Sequence, residues 1–304
     1  MELRPYAPGD EVAILDLFEQ SFGKPLSEAF WRWRFMDDPH GPPQIELAWD
    51  GGVLAGHYAV SPTTLAIEGE RRSASLSMTT MTHPDYRGQG LFGQLATRLY
   101  ERLAEAGYTA VYGFPNAQSH RGFIRDLGWR DVHEIPMLRL DLATAKPLDA
   151  AGTHVVRELD ADIDALFERC RRMRPVIGWR DARHLTWRYL DHPTNDYTIV
   201  VTPTGYAVSK RIGDDLDIVD LLVEDEDATV MRSLLGGVLA GSPDASAANL
   251  WLPLASPLHL ELERLGFVPG APVTYLGVRP FAPTPVDLGD PRAWYYTMGD
   301  SDVF

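Results

Sequence analysis

Apolar positions along this chain switch between two periods, and each switch marks a predicted element. Residues 2–4 read as a first strand and 13–22 as a helix with Leu15, Leu17, Phe18 and Phe22 on its inner side. A second helix, about 27–36, carries aromatics and stops before Pro39, where the helical region becomes unfavourable. Strands at 45–49 and 53–60 are joined through Asp50-Gly51-Gly52, a strong hairpin signal. Residues 73–82 then read as strand, 91–105 as an amphipathic helix ended by Gly107, and 109–113 as a short buried strand. A helix at 116–127 and a strand at 132–140 complete the first run.

Residues 141–152, with several alanines, Pro147 and Gly152, read as a linker. Beyond it the pattern restarts with a strand at 154–159 and a helix at 161–173. Two local matches make this restart a repeat. Trp33-Arg34-Phe35-Met36-Asp37-Asp38-Pro39 aligns with Trp187-Arg188-Tyr189-Leu190-Asp191-His192-Pro193. Pro115-x-Ala117, continuing to Leu127-Gly128-Trp129, aligns with Pro253-x-Ala255, continuing to Leu265-Gly266-Phe267. The expected fold is α/β (α+β): two tandem domains, each a mixed, mostly antiparallel twisted sheet flanked by helices. The boundaries read as 1–140, a linker 141–152, 153–280 and a C-terminal tail 281–304.

The segment of most chemical interest is Thr82-His83-Pro84-Asp85-Tyr86-Arg87-Gly88-Gln89-Gly90-Leu91-Phe92-Gly93, between the strand and the amphipathic helix. A glycine-bearing turn that opens a helix presents unpaired N–H groups at the positive end of the helix dipole, which favours phosphate. Gly88 and Gly90 let the main chain approach the anion closely, and Arg87 adds charge. This strand–turn–helix resembles the acyl-CoA pyrophosphate motif of the GNAT superfamily of N-acetyltransferases, Arg/Gln-x-x-Gly-x-Gly/Ala. Arg87 and Gly90 match it; Phe92 departs, standing where the family has Gly or Ala.

The resemblance covers about residues 1–279 and implies acetyl-CoA as co-substrate, with no metal. It implies a cofactor site of Met81 and Thr82 at the strand end, Arg87, Gly88, Gln89, Gly90, Leu91 and Phe92 in the turn, and Asn116. Asn116 reads equally as the cap of the helix after Pro115. The family's tyrosine proton donor falls on Ile124, so that donor is missing. His120, one helical turn earlier, is the substitute candidate. In the second copy Glu224-Asp225-Glu226-Asp227 stands in place of the phosphate turn and would repel pyrophosphate. The resemblance is therefore to tandem GNAT proteins with one degenerate copy.

Composition adds exclusions. A formal net charge of −15 argues against nucleic acid and anionic membranes, and draws cations. The apolar runs are too short to span a bilayer, no secretory signal is visible, and the single cysteine, Cys170, excludes an internal disulfide. The expected location is cytoplasmic. The tail ends Ala293-Trp294-Tyr295-Tyr296-Thr297-Met298-Gly299-Asp300-Ser301-Asp302-Val303-Phe304. Its aromatics could dock it across the groove between the two copies. Asp300 would then bind an acceptor amine, with Asp302 or the Phe304 carboxylate as base. Trp31, not repeated in the second copy, is the candidate to line the acceptor pocket. These readings give an N-acetyltransferase for a small cationic amine, such as an amino sugar or aminoglycoside. The alternative is a GNAT-fold pseudoenzyme that binds acyl-CoA as a sensor or scaffold.

Overall fold

The computed structural model describes residues 1–117 and 119–304, and the chain divides into two compact units. Both are mixed α/β, with mostly antiparallel strands, as the sequence pattern predicts. The first unit comprises Met1–Thr64, Arg72–Asp131 and Gly277–Thr284. The second comprises Leu65–Arg71, Val132–Leu276 and Pro285–Phe304.

In the first unit the elements run β1 (Glu2–Pro5), α1 (Glu11–Phe22), α2 (Glu28–Phe35), β2 (Gln44–Asp50), β3 (Val53–Ile67), β4 (Glu70–Thr82), α3 (Leu91–Glu105), β5 (Ala110–Gly113) and α4 (His120–Leu127). The strands lie side by side in the order β1-β2-β3-β4-β5. Gly51, at φ 59°, makes the β2–β3 turn that its sequence announces. The α3 stripe of Leu91, Leu95, Ala96, Leu99, Tyr100 and Leu103 is buried against the sheet, which is why this helix forms and which way it faces. On the other face, Ile14, Leu17, Trp31 and Phe35 from α1 and α2 pack over Ile45, Leu47, Met78 and Met81. Gln118, which the predicted helix 116–127 includes, lies outside the described residues.

The second unit continues with β6 (Arg130–Asp141), β7 (His154–Val156), α5 (Ala161–Cys170), β8 (Val176–Gly178), α6 (Ala182–Leu185), β9 (Thr198–Thr202), β10 (Gly205–Ile212), β11 (Asp215–Val223), α7 (Ala228–Ala240), β12 (Ala247–Leu250), α8 (Pro257–Leu265), β13 (Val268–Pro280) and β14 (Trp294–Tyr295). Its main sheet runs β7-β9-β10-β11-β12-β6. Both units therefore share a strand–helix–parallel strand crossover, β4-α3-β5 and β11-α7-β12.

The closing strands depart from the linear expectation. Residues 132–140 read as the last strand of the first copy, yet Leu138–Asp141 pair antiparallel with β12 in the second unit. The place beside β5 is taken by residues 277–280, with Gly277 opposite Gly113 and Pro280 opposite Ala110. Each unit is thus closed by a strand from the other half of the chain.

Candidate functional site

β4 and β5 are paired at Ser75 with Val111 and Leu76 with Tyr112. Beyond that register β4 runs on to Thr82, through Thr79 at φ 49°, a left-handed conformation that a non-glycine strand residue rarely adopts. Met81 is buried in the α1–α2 core and Thr82 is half-buried, so what they offer a ligand is main chain. His83 then accepts from the Asp85 N–H and Pro84 opens a short 3₁₀ turn ending at Tyr86. The Tyr86 hydroxyl donates to Asp50 at 2.9 Å, tying the turn back to the β2–β3 hairpin.

Residues Arg87–Gly90 follow, exposed to solvent. Gly88 and Gly90 have φ of 79° and 72°, so their glycine identity answers a backbone need rather than a packing one. Gly90 is the N-cap of α3, and no side chain accepts from the first N–H groups of the helix. A fifteen-residue helix thus points uncapped donors into solvent beside Arg87, which has no ion pair among the described residues. Exposed helix donors of this kind favour an anion.

Phe92 does not obstruct it. Its ring turns inward, edge-on to Tyr58 at 5.9 Å and to Phe123 at 5.2 Å. Gly122 of α4 makes the room: a Cβ there would sit 3.3 Å from the Phe92 ring. The large residue at 92 is therefore matched by the smallest one on the facing helix. Valine at Gly122 should cost about 1–3 kcal/mol by overpacking, read as a lowered thermal midpoint.

Asn116 lies in the turn ahead of α4, its Oδ1 accepting from the N–H of Ser119, the residue that stands at the N-cap of that helix. His120 opens α4, and its Nε2 lies 2.5 Å from Asp131 Oδ1. Ile124, at the missing tyrosine's position, packs partly buried against the core under α3.

Two expectations are corrected. Trp31 is fully enclosed, with Tyr6 and Phe35 against its ring at 5.8 Å and 5.6 Å, so it forms core rather than pocket wall. Repetition of a residue marks packing, but lack of repetition does not mark exposure. Asp300 is likewise engaged within the second unit, its side chain only 12% exposed, with its Oδ2 2.5 Å from Arg180 Nη2 and accepting from the Thr297 N–H at 2.8 Å. Burial pushes its carboxyl above the ordinary aspartate range, against the pull of Arg180. Its Oδ2 is thus committed to the tail's own packing rather than to an amine.

The rest of the tail belongs to the same packing. Trp294, Tyr295, Tyr296, Thr297 and Met298 are buried, and β14 pairs parallel with β8. β11 is paired with β12 only over Asp215–Ile218, and the carbonyls farther along it meet the tail. Tyr295 donates its hydroxyl to Leu221 O, Thr297 Oγ1 donates to Asp220 at 3.0 Å, and a Cβ on Gly299 would sit 3.2 Å from Val219 O. Arg188 donates to Ser301 O at 3.2 Å and to the main-chain oxygen of Phe304. The Phe304 ring stands edge-on to Trp251 at 5.0 Å, and Asp302 is exposed. Sequence reasoning missed Arg180 and Arg188 as the tail's anchors; their one signal was an arginine in each of two apolar, aromatic-rich segments.

The second unit's counterpart of the phosphate turn is built differently. Asp225 and Glu226 keep left-handed φ values of 55° and 52°, but Asp227 caps α7, accepting from the Thr229 N–H at 2.7 Å. Glu224 accepts from Arg169 at 2.6 Å and Glu226 from the Ser256 hydroxyl at 2.8 Å. The helix donors are claimed and the surroundings are acidic. No group of His, Cys, Asp and Glu among the described residues could hold a metal ion. No described helix is long and apolar enough to cross a membrane.

Residues 2–132 match the family model described as an acetyltransferase (GNAT) domain. No curated protein sequence matches the chain. Among solved structures it is similar to a GCN5-related N-acetyltransferase from Kribbella flavida, at 17% identity and a TM-score of 0.73 over 92% of this chain and 72% of that one. A GCN5-related N-acetyltransferase from Anabaena variabilis gives 14% and 0.71 over 92% and 73%. A tandem GNAT protein from the clavulanic acid biosynthesis pathway gives 15% and 0.58 over 93% and 99%. At such identities the likeness is one of fold.

Proposed function

We propose, from the match of residues 2–132 to an acetyltransferase (GNAT) domain, that this chain is an acyltransferase that transfers acetyl from acetyl-CoA to a small cationic amine. The uncapped N-terminus of α3 carries the donor half of this reading. Gly88 and Gly90 open the backbone there, and Arg87 stands beside it, exposed and without an ion pair among the described residues. Pyrophosphate would take the exposed N–H groups of residues 88–93, and the main chain of Met81 and Thr82 would line the pantetheine arm. The second unit is the degenerate copy, because Asp227 already holds the equivalent donors.

The acceptor half rests on charge. A net charge of −15 concentrates cations near the surface, and amino sugars or aminoglycosides are small cationic amines. His120, held by Asp131, is the candidate donor of a proton to the departing thiolate. Asp302 and Phe304 remain the candidate bases of the tail. Deleting residues 302–304 leaves Arg180, Asp300 and the buried aromatics in place, so the fold should survive. If the tail end takes the amine's proton, turnover falls at least tenfold; unchanged turnover assigns it to docking alone. Changing His120 to Asn tests the proton donor by the same assay.

One observation favours the pseudoenzyme reading. Ile124, partly buried against the core, holds the position of the family's tyrosine, and its substitute His120 is engaged by Asp131. A thiol-release assay across a panel of amines, run beside calorimetric titration with acetyl-CoA, separates the two. Binding at one site per chain with turnover supports the enzyme. Binding without turnover supports the sensor or scaffold.

A further inference from the structure

We propose that His57 is a positioning residue for the acyl donor: its Nδ1–H holds the Thr79 carbonyl and so sets the bulge at which β4 bends away from β5. The inference rests on the acyl-CoA reading of the first unit. His57 is fully buried in the middle of β3, opposite Leu47 on β2, with Phe35 edge-on to its ring at 6.5 Å. Its Nδ1 lies 2.8 Å from Thr79 O. A carbonyl only accepts, so the hydrogen bond assigns the proton to Nδ1 and leaves Nε2 as a bare lone pair. Nε2 is buried with no hydrogen-bond partner among the described residues. Burial also pushes the imidazole down to about 4, keeping it neutral at ordinary pH. A purely apolar core position would be better filled by leucine, so the polar ring is explained by what Nδ1 does.

What it holds is the one left-handed residue of β4. Thr79 has φ 49°, and its neighbours show the consequence. In a regular strand residues 78 and 81 face opposite sides, since side chains alternate. Here Met78 and Met81 both enter the α1–α2 core. An extra residue between them, at the bulge, is what returns Met81 to that face. The same bulge begins just beyond the last β4–β5 pair at Leu76 and Tyr112, where the strand's main chain turns toward the donor's place. Without a hold on the Thr79 carbonyl the strand can relax to ordinary β geometry. Residues 80–82 would then turn over, and the donor would lose its main-chain contacts.

Four variants test this: His57→Leu, His57→Asn, Thr79→Gly and His57→Leu with Thr79→Gly. Asparagine places an amide N–H where Nδ1–H stands, leucine places none, and glycine adopts positive φ without a hold. His57→Leu should raise KM for acetyl-CoA about tenfold, the worth of one hydrogen bond, with kcat changed less. His57→Asn should return KM to within about twofold of the native value. The double variant should recover most of the loss. KM unchanged in His57→Leu, or no better in His57→Asn, overturns the proposal. Thermal midpoints of the four proteins read the hold on the bulge without any ligand. Failure of the native protein to bind acetyl-CoA would sink the acyl-CoA reading, and with it this role. Coupled midpoints with an unmoved KM would sink the positioning role alone.

Discussion

Aspartate at Gly90 should abolish acetyl-CoA binding while leaving the protein folded, with affinity lowered at least about 100-fold in calorimetric titration. Gly90 is the N-cap of α3 and its φ of 72° is one that Asp tolerates better than most residues. The only atom near a Cβ placed there is Gln94 Nε2 at 3.8 Å, so there is room. Aspartate is also a strong helix cap, so the substitution satisfies the donors it takes. It puts a carboxylate where pyrophosphate would sit, adding repulsion to the loss of the open N–H groups. The change reproduces in the first unit what Asp227 does at the start of α7. Undiminished binding in this variant would remove the central support for the acyl-donor site.

Loss of the Arg180 side chain should be the most damaging single change to stability in the second unit. Arg180 is 2% exposed and lies between the buried Asp220 and the largely enclosed Asp300, 3.2 Å from Asp220 Oδ1 and 2.5 Å from Asp300 Oδ2. Its methionine variant leaves both carboxylates without their cation, which for a buried pair costs about 3–5 kcal/mol. Asp220 also accepts from Tyr189 and Tyr206, each at 3.1 Å, so the damage reaches α6's continuation and β10. Asn at Asp300 should cost far less, about 1 kcal/mol, because its carbonyl still accepts from Thr297 N–H and one carboxylate fewer shares the arginine. Urea unfolding of both variants gives the comparison. An Arg180→Met protein as stable as the Asp300→Asn protein would show that the tail is held by its aromatics instead.

The parts of the chain that were legible in the sequence are those whose physics is local. The hairpin at Asp50–Gly52 and the glycines of the phosphate turn need particular backbone angles, and glycine announces those angles wherever it stands. The α3 stripe declares a buried face by its spacing. Trp33 and Phe35 are matched in the repeat by Trp187 and Tyr189, as shared packing requires, and all four are buried. Even the acidic end of β11 could be read, since carboxylates at a helix start repel anions whatever surrounds them.

What the sequence could not supply were partners distant along the chain. Residues 132–140 alternate correctly for a strand, but alternation selects a face, not a neighbour; only the folded chain pairs them with β12 and seats residues 277–280 beside β5. The aromatic tail was readable as something that docks, while its anchor, Arg180, lies 120 positions from Asp300 and carries no local mark. That Phe92 turns inward onto Gly122, and that His57 reaches the Thr79 carbonyl, are likewise meetings made by packing. The sequence determined the elements and the glycine turn at the start of α3 because backbone angles and periodicity are properties of neighbouring residues. The tertiary structure decided which strand closes each unit, where the tail lies and what bends β4, because burial and pairing depend on residues the chain brings together only on folding.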